Sequence, residues 1–80
     1  MPHISVKIFP GRTEAAKRDF ALAVRRAAVE YLGADSAHVT VAMEEIAPAD
    51  WSEQVYRTEV LDNAHLVFPP AYHLEPDELR

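Results

Sequence analysis

From Pro2 to Phe9 the chain alternates, with Ile4, Val6 and Ile8 on one face and His3, Ser5, Lys7 and Phe9 on the other. That period of two predicts a β-strand. Pro10-Gly11-Arg12 breaks the alternation, and Thr13 then stands where an N-cap belongs, with Glu14 in the first turn. From there to Leu32 the pattern is helical: Ala16, Phe20, Val24, Ala27 and Tyr31 recur at steps of four, four, three and four, which predicts one buried stripe. Leu22 and Val29 fall on the back of that helix. Gly33 occupies the place of a C′ glycine. A second strand is expected over His38 to Ile46, with Val39, Val41 and Met43 on one face. Strand, full-length helix and strand in this order predict a right-handed, parallel βαβ unit.

Pro48-Ala49-Asp50 ends the second strand and caps a short helix beginning at Trp51. Over Trp51 to Leu66 the periodicity is poor, because Trp51 and Val55 align whereas Val60, Leu61 and Ala64 do not; two short helical pieces are expected. Residues 67–80 hold three of the six prolines and end acidic, so they read as an irregular C-terminal arm. There is no internal repeat, and a single α+β domain over 1–80 is expected. A two-stranded sheet with one helix cannot bury both of its faces. The helix covers the face of Val39, Val41 and Met43, leaving Phe9, Thr40, Ala42 and Ile46 for a second copy of the chain, so the sheet is expected to be completed by oligomerisation.

Composition narrows the function. With 80 residues, the chain lies in the range where one core is marginal and self-association is a common remedy. A net charge of -5 argues against nucleic acid or an anionic membrane as partner. No apolar run reaches membrane-spanning length and no signal-peptide core is present, so a cytoplasmic protein is expected. The sequence has no cysteine, which excludes a disulfide frame, a thiolate nucleophile and a zinc–thiolate site. His3, His38, His65 and His73 lack metal-ligand spacing, and no metal or other cofactor is expected.

Pro2 carries the candidate chemistry. Within a chain its amide nitrogen is inert. If Met1 is clipped, as a small second residue normally permits, Pro2 becomes a rigid secondary amine. An α-amine titrates at roughly 7.7–8.0, and apolar surroundings or a nearby cation lower it further, leaving the nitrogen neutral and basic. That is the profile of a general base.

Taken together, these residues resemble the 4-oxalocrotonate tautomerase family. Pro2 through Trp51 can be laid on the pattern of its short members without a gap. Pro2 falls on the family's catalytic proline, Gly11-Arg12 on a Gly-Arg pair whose arginine binds the substrate carboxylate, and Trp51 on an aromatic walling the site. The run Ala42 to Trp51, with Val55-Tyr56 and Pro70-Ala71-Tyr72, is similar to a longer bacterial branch, the PptA-like tautomerases. The resemblance implies a tautomerase fold and a cofactor-independent keto–enol tautomerase with Pro2 as catalytic base. It departs at Thr40, where the short enzymes place a second arginine. A threonine offers a hydrogen bond but no charge. The implied substrate is therefore a small 2-oxo or enol acid with one carboxylate, phenylpyruvate-like, held by Arg12 with Thr40 near and with Trp51 and Phe9 as an apolar wall. Glu44 and Glu45 end the strand without a defined role. The alternatives are other chemistry on the same scaffold, namely a hydratase, decarboxylase or dehalogenase, or a non-catalytic oligomeric module. The arm beyond the short members, with Phe68, Tyr72 and Leu74, is expected to block dimer stacking, which favours a homodimer over a hexamer.

Overall fold

In the computed structural model, residues 1–72 are described. Their elements follow the order β1 (His3–Ile8), α1 (Glu14–Leu32), a 3-10 turn (Ser36–His38), β2 (Thr40–Glu45), α2 (Pro48–Trp51) and a π-helical segment (Ser52–Val60). Two compact units can be described, Met1–Glu45 and a second that begins at Ile46.

The first unit is the βαβ. Its strands are parallel, with His3 opposite Thr40, Val6 opposite Met43 and Ile8 opposite Glu45. Because side chains alternate, Ile4, Val6, Ile8, Val41 and Met43 share the face that α1 covers, while His3, Ser5, Thr40, Ala42 and Glu44 share the open one. Thr13 caps α1 by accepting from the Ala16 N–H at 3.0 Å. Gly33 ends it in the left-handed region at φ 67°, and its N–H and that of Ala34 both bond the Ala28 carbonyl.

The buried stripe of α1 is not the expected one. Ala28 is buried and Lys17, Ala21, Leu22 and Val24 are half-buried, whereas Phe20 is 48% exposed and Tyr31 78%. Both sets of residues satisfy a helical period. The two sets share Val24; the observed one is centred on Ala21 and Ala28, and the rings of Phe20 and Tyr31 are left largely exposed. Leu22, expected on the back, belongs with the half-buried set. Lys17 fits the stripe because its Nζ reaches Glu14 at 2.7 Å and Glu45, at the end of β2, at 3.3 Å.

β2 begins later than expected. His38 belongs to the 3-10 turn, where the Asp35 carboxylate accepts from the Ala37 N–H at 3.0 Å and diverts the chain before Val39. In the second unit helix begins earlier than expected, with Pro48 at the first helical position. The chain then continues without a break in a wider winding that runs to Val60, closed by Leu61 N–H to Tyr56 O at 2.7 Å. In i→i+5 winding Trp51, Val55 with Tyr56, and Val60 fall on one side. Together with Ser52 these are the buried and half-buried positions of the segment. The poor 3.6-residue periodicity of this stretch has that origin. Beyond it Tyr72 packs edge-on against Tyr56, ring centroids 6.0 Å apart, whereas Val67 and Phe68 are exposed. Leu74 of the expected arm lies outside the described residues.

The apolar core is thin. Its buried members are Ala28 and Val39 in the first unit and Ile46, Val55 and Tyr56 in the second, and none of the described side chains is fully buried. Among the described residues no helix is long and apolar enough to cross a membrane.

Candidate active site

A parallel pair places the starts of both strands at one end of the sheet and their finishes at the other. Pro2 and Thr40 are therefore neighbours: the Thr40 N–H donates to the Pro2 carbonyl at 3.1 Å. Pro2 is half-buried and Met1 is 95% exposed. Pro2 directly precedes β1, so its main-chain nitrogen lies at the start of the strand. His3, the next residue, points to the open face, and its Nδ1 lies 2.6 Å from Thr40 Oγ1.

At the opposite end Gly11 adopts φ 122°, a conformation that favours glycine, and turns the chain from β1 towards α1. Arg12 follows, and its Nη1 donates to the Phe9 carbonyl at 3.1 Å. The guanidinium is thereby held at the finish of β1. It forms the rim of a cavity of about 380 Å³ lined by Ile8, Arg12, Ala16, Lys17, Phe20 and Met43. This cavity is largely apolar with two cations on its wall, a combination that suits a small organic acid. Lys17 is held protonated, its pKa raised above 10.5 first by the hydrogen bond to Glu14 and then by Glu45, against an opposing contribution from desolvation.

The structure thus brings Pro2 together with Thr40, and Phe9 together with Arg12, but it does not bring the two pairs together within one chain. From Pro2 to Phe9 the extended backbone advances roughly 23 Å, several times what an arginine side chain can bridge. Trp51 belongs to the second unit, half-buried at the junction of α2 and the π-helical segment. Phe9, expected as a wall, is 44% exposed; the aromatic side chain that lines the Arg12 cavity is Phe20.

Sequence reasoning missed His3, Lys17, Phe20 and Met43. His3 was weighed only as a metal ligand, yet alternation in a parallel register delivers it to Thr40. The signal was the pairing of the two strand starts. Lys17 had none, since a lysine within a helical pattern reads as a solvated charge.

Comparison with known proteins bears on the same residues. The family described as Tautomerase enzyme matches residues 2–59. A probable tautomerase of Xylella fastidiosa (strain 9a5c) is 40% identical over 60 residues, which are 75% of this chain and 73% of that protein. The tautomerase PptA of Cronobacter sakazakii (strain ATCC BAA-894) is 34% identical over 61 residues, 75% of this chain and 80% of the relative. Among solved structures, TomN, a 4-oxalocrotonate tautomerase homologue in the tomaymycin biosynthetic pathway, aligns with a TM-score of 0.61 at 34% identity, covering 62% of this chain and 77% of that one. The match spans the βαβ unit, both ends of its sheet and nearly all of the π-helical segment, and the chain belongs to the tautomerase family, whose members are isomerases.

Proposed function

We propose that this protein interconverts the keto and enol forms of a small 2-oxo acid without a cofactor, using the nitrogen of Pro2, freed by removal of Met1, as the general base. The observation that carries the proposal is the placement of Pro2. It stands at the open tip of β1, its carbonyl pinned by the Thr40 N–H, and the family match starts at this residue. Pinning the carbonyl fixes the plane of the peptide that follows Pro2 and so anchors the residue at the start of the strand.

The substrate carboxylate is gripped by Arg12, and its apolar part lies along Ile8, Phe20 and Met43. A guanidinium grips a carboxylate through parallel hydrogen bonds. The neutral amine of Pro2 takes a proton from the enol oxygen or from the carbon beside the carbonyl and returns it at the other position. General acid–base transfer of this kind contributes about 10²–10⁴-fold, with positioning adding more. Because Arg12 and Pro2 lie at opposite ends of β1, the working site combines Pro2 of one copy with Arg12 of another. A monocarboxylate is favoured at neutral pH, since Thr40 brings no charge of its own. The open sheet face supplies the surface for self-association, in a homodimer.

The test compares ultraviolet ketonisation rates of an aryl enolpyruvate for protein verified by mass to begin at Pro2, for protein that keeps Met1, and for Pro2→Ala. Free Pro2 should be active, and both other forms should lose most of kcat while melting at similar temperatures. Undiminished turnover by chains shown to keep Met1 would refute the proposal, because a tertiary amide nitrogen has no basic lone pair.

A further inference from the structure

We propose that the Lys17 ammonium stabilises the negative charge that develops on the 2-oxygen of the substrate while Arg12 holds the carboxylate. The inference rests on the reading of a 2-oxo acid gripped by Arg12, and it adds the group that steadies the enolate.

Lys17 stands in the first turn of α1, and together with Met43 of β2 it borders two cavities at once. One is the Arg12 cavity, whose other lining side chains, Ile8, Ala16, Phe20 and Met43, are apolar. The second, about 330 Å³, is lined also by Glu14 and Glu45, the two carboxylates that hold the ammonium at 2.7 and 3.3 Å. Neither carboxylate lines the Arg12 cavity. Among the described residues, an anion entering that cavity meets two cations and no acid.

Hydrogen count and charge agree with this placement. A lysine ammonium has three hydrogens to donate. Glu14 and Glu45 engage two of them, which leaves the third for a ligand. The Lys17 side chain is 15% exposed and that of Glu14 92%, so water screens the Glu14 carboxylate far more than the ammonium. The hydrogen bond to Glu14, and after it the one to Glu45, raise the Lys17 pKa against desolvation, and the group stays charged at neutral pH. A cation tied at two points is oriented before the substrate arrives, which is the condition for electrostatic stabilisation to accelerate a reaction.

The reaction needs such a group in that cavity. When the nitrogen of Pro2 takes a proton from the carbon beside the carbonyl, the C–H electron pair becomes the C=C bond and the carbonyl π pair moves onto the 2-oxygen. That oxygen carries the negative charge until Pro2 returns the proton to it; ketonisation runs the same steps in reverse. In a 2-oxo acid the 2-oxygen sits on the carbon bonded to the carboxylate, so a carboxylate held by Arg12 brings it into the Arg12 cavity. Among the described residues lining that cavity, only Arg12 and Lys17 have side-chain donors.

N-Phenyloxamate and N-phenylglycinate serve as non-reacting probes. Both are aryl carboxylates, but only the oxamate has a 2-oxygen, partly negative and able to lie in the plane of its carboxylate. Calorimetry on protein verified to begin at Pro2 should find the oxamate bound about tenfold or more tightly than the glycinate. Lys17→Met should erase that preference by weakening the oxamate alone, and Lys17→Arg should keep part of it. Glu45→Ala cuts the tie between α1 and β2 but leaves Glu14 on the ammonium, so it should keep the preference; a lysine that acts only as a strut would lose it in both variants. In the unsubstituted protein the Lys17 side-chain resonances should shift with the oxamate and not with the glycinate. With an aryl enolpyruvate, Lys17→Met should lower kcat about ten- to hundredfold at nearly unchanged KM. Failure of the oxamate to bind, equal affinity for the two probes, a preference that survives in Lys17→Met, or its loss in Glu45→Ala would each overturn the assignment. Turnover by the unsubstituted protein reports separately on the tautomerase reading: a Lys17-dependent preference without turnover would sink that reading and keep the contact of Lys17 with the 2-oxygen, and turnover unchanged by Lys17→Met would do the reverse.

Discussion

If one active site takes Pro2 from one copy and Arg12 from another, two inactive variants should restore each other. Pro2→Ala removes the rigid basic amine, and Arg12→Ala removes the carboxylate grip. A lost charge-assisted hydrogen bond costs about 1.5–3 kcal/mol, or roughly ten- to hundredfold in kcat/KM, so the Arg12 variant alone should keep at most about a tenth of normal activity. In subunits mixed at random in equal amounts, each site draws its proline and its arginine independently. About half of the prolines are intact and about half of the arginines come from the other variant, so about a quarter of the sites are whole, in any assembly whose sites lie between copies. Simple addition of the two parents predicts at most about one-twentieth. The assay is co-expression of the two variants, recovery of the whole assembled population through a tag common to both, and comparison with an equimolar blend of separately made proteins. The geometric basis is the strand length of roughly 23 Å between Pro2 and Phe9, whose carbonyl holds the Arg12 guanidinium at 3.1 Å. Mixed assemblies no more active than the blend would show that each chain makes its own site, and the distance argument would be wrong.

Gly33→Ala should lower stability by about 1 kcal/mol, read as a drop in Tm, because φ 67° is strained for alanine while no atom lies within 4 Å of the added methyl. Stability should also fall at alkaline pH: the folded pKa of Lys17 is raised above 10.5, so its contribution is complete below that value and disappears as pH rises through the higher folded value. Urea melts of the parent and of Lys17→Met should differ at neutral pH and converge at the alkaline end; a constant difference would contradict the pairing with Glu14 and Glu45. Sedimentation should find a self-associated species at micromolar concentration, with specific activity falling on dilution as it dissociates, whereas an active monomer would refute the shared site.

The order of elements was legible because it rests on strong local signals. Alternation around Val6, the threonine cap at position 13 and the glycine at position 33 each have a single physical reading, and the structure uses all three. What was not legible depended on comparing faces. The helix offers Phe20 and Tyr31 on one stripe and Ala21 and Ala28 on another, and hydrophobicity alone chooses the bulky one. The structure buries Ala28 and half-buries Ala21, leaving Phe20 and Tyr31 exposed. The winding after Trp51 was illegible for a different reason: a period set by i→i+5 bonds looks like no period when read at 3.6. Of the candidate site, Pro2 was proposed from the chemistry of a chain-start amine, and Arg12 and Thr40 from the resemblance. Strand length separates Pro2 from Arg12, whereas the register that sets Thr40 beside Pro2 is visible only in the structure.

Topology then constrains the chemistry more tightly than any single residue does. In a parallel βαβ unit the residue before the first strand and the residue opening the second must meet, whatever their identities, and the loop after the first strand must lie a strand length away. A base placed at the chain start and an anion grip placed in that first loop are therefore separated by the fold itself, and side-chain motion does not close such a gap. Bringing them together requires a second sheet running in the opposite direction, so that the start of one β1 approaches the finish of the other. The same arrangement covers the open face that a two-stranded sheet cannot bury alone. In the proposed reading self-association is thus required twice, once because the core of Ala28 and Val39 is too small to suffice, and once because neither chain holds both halves of the reaction.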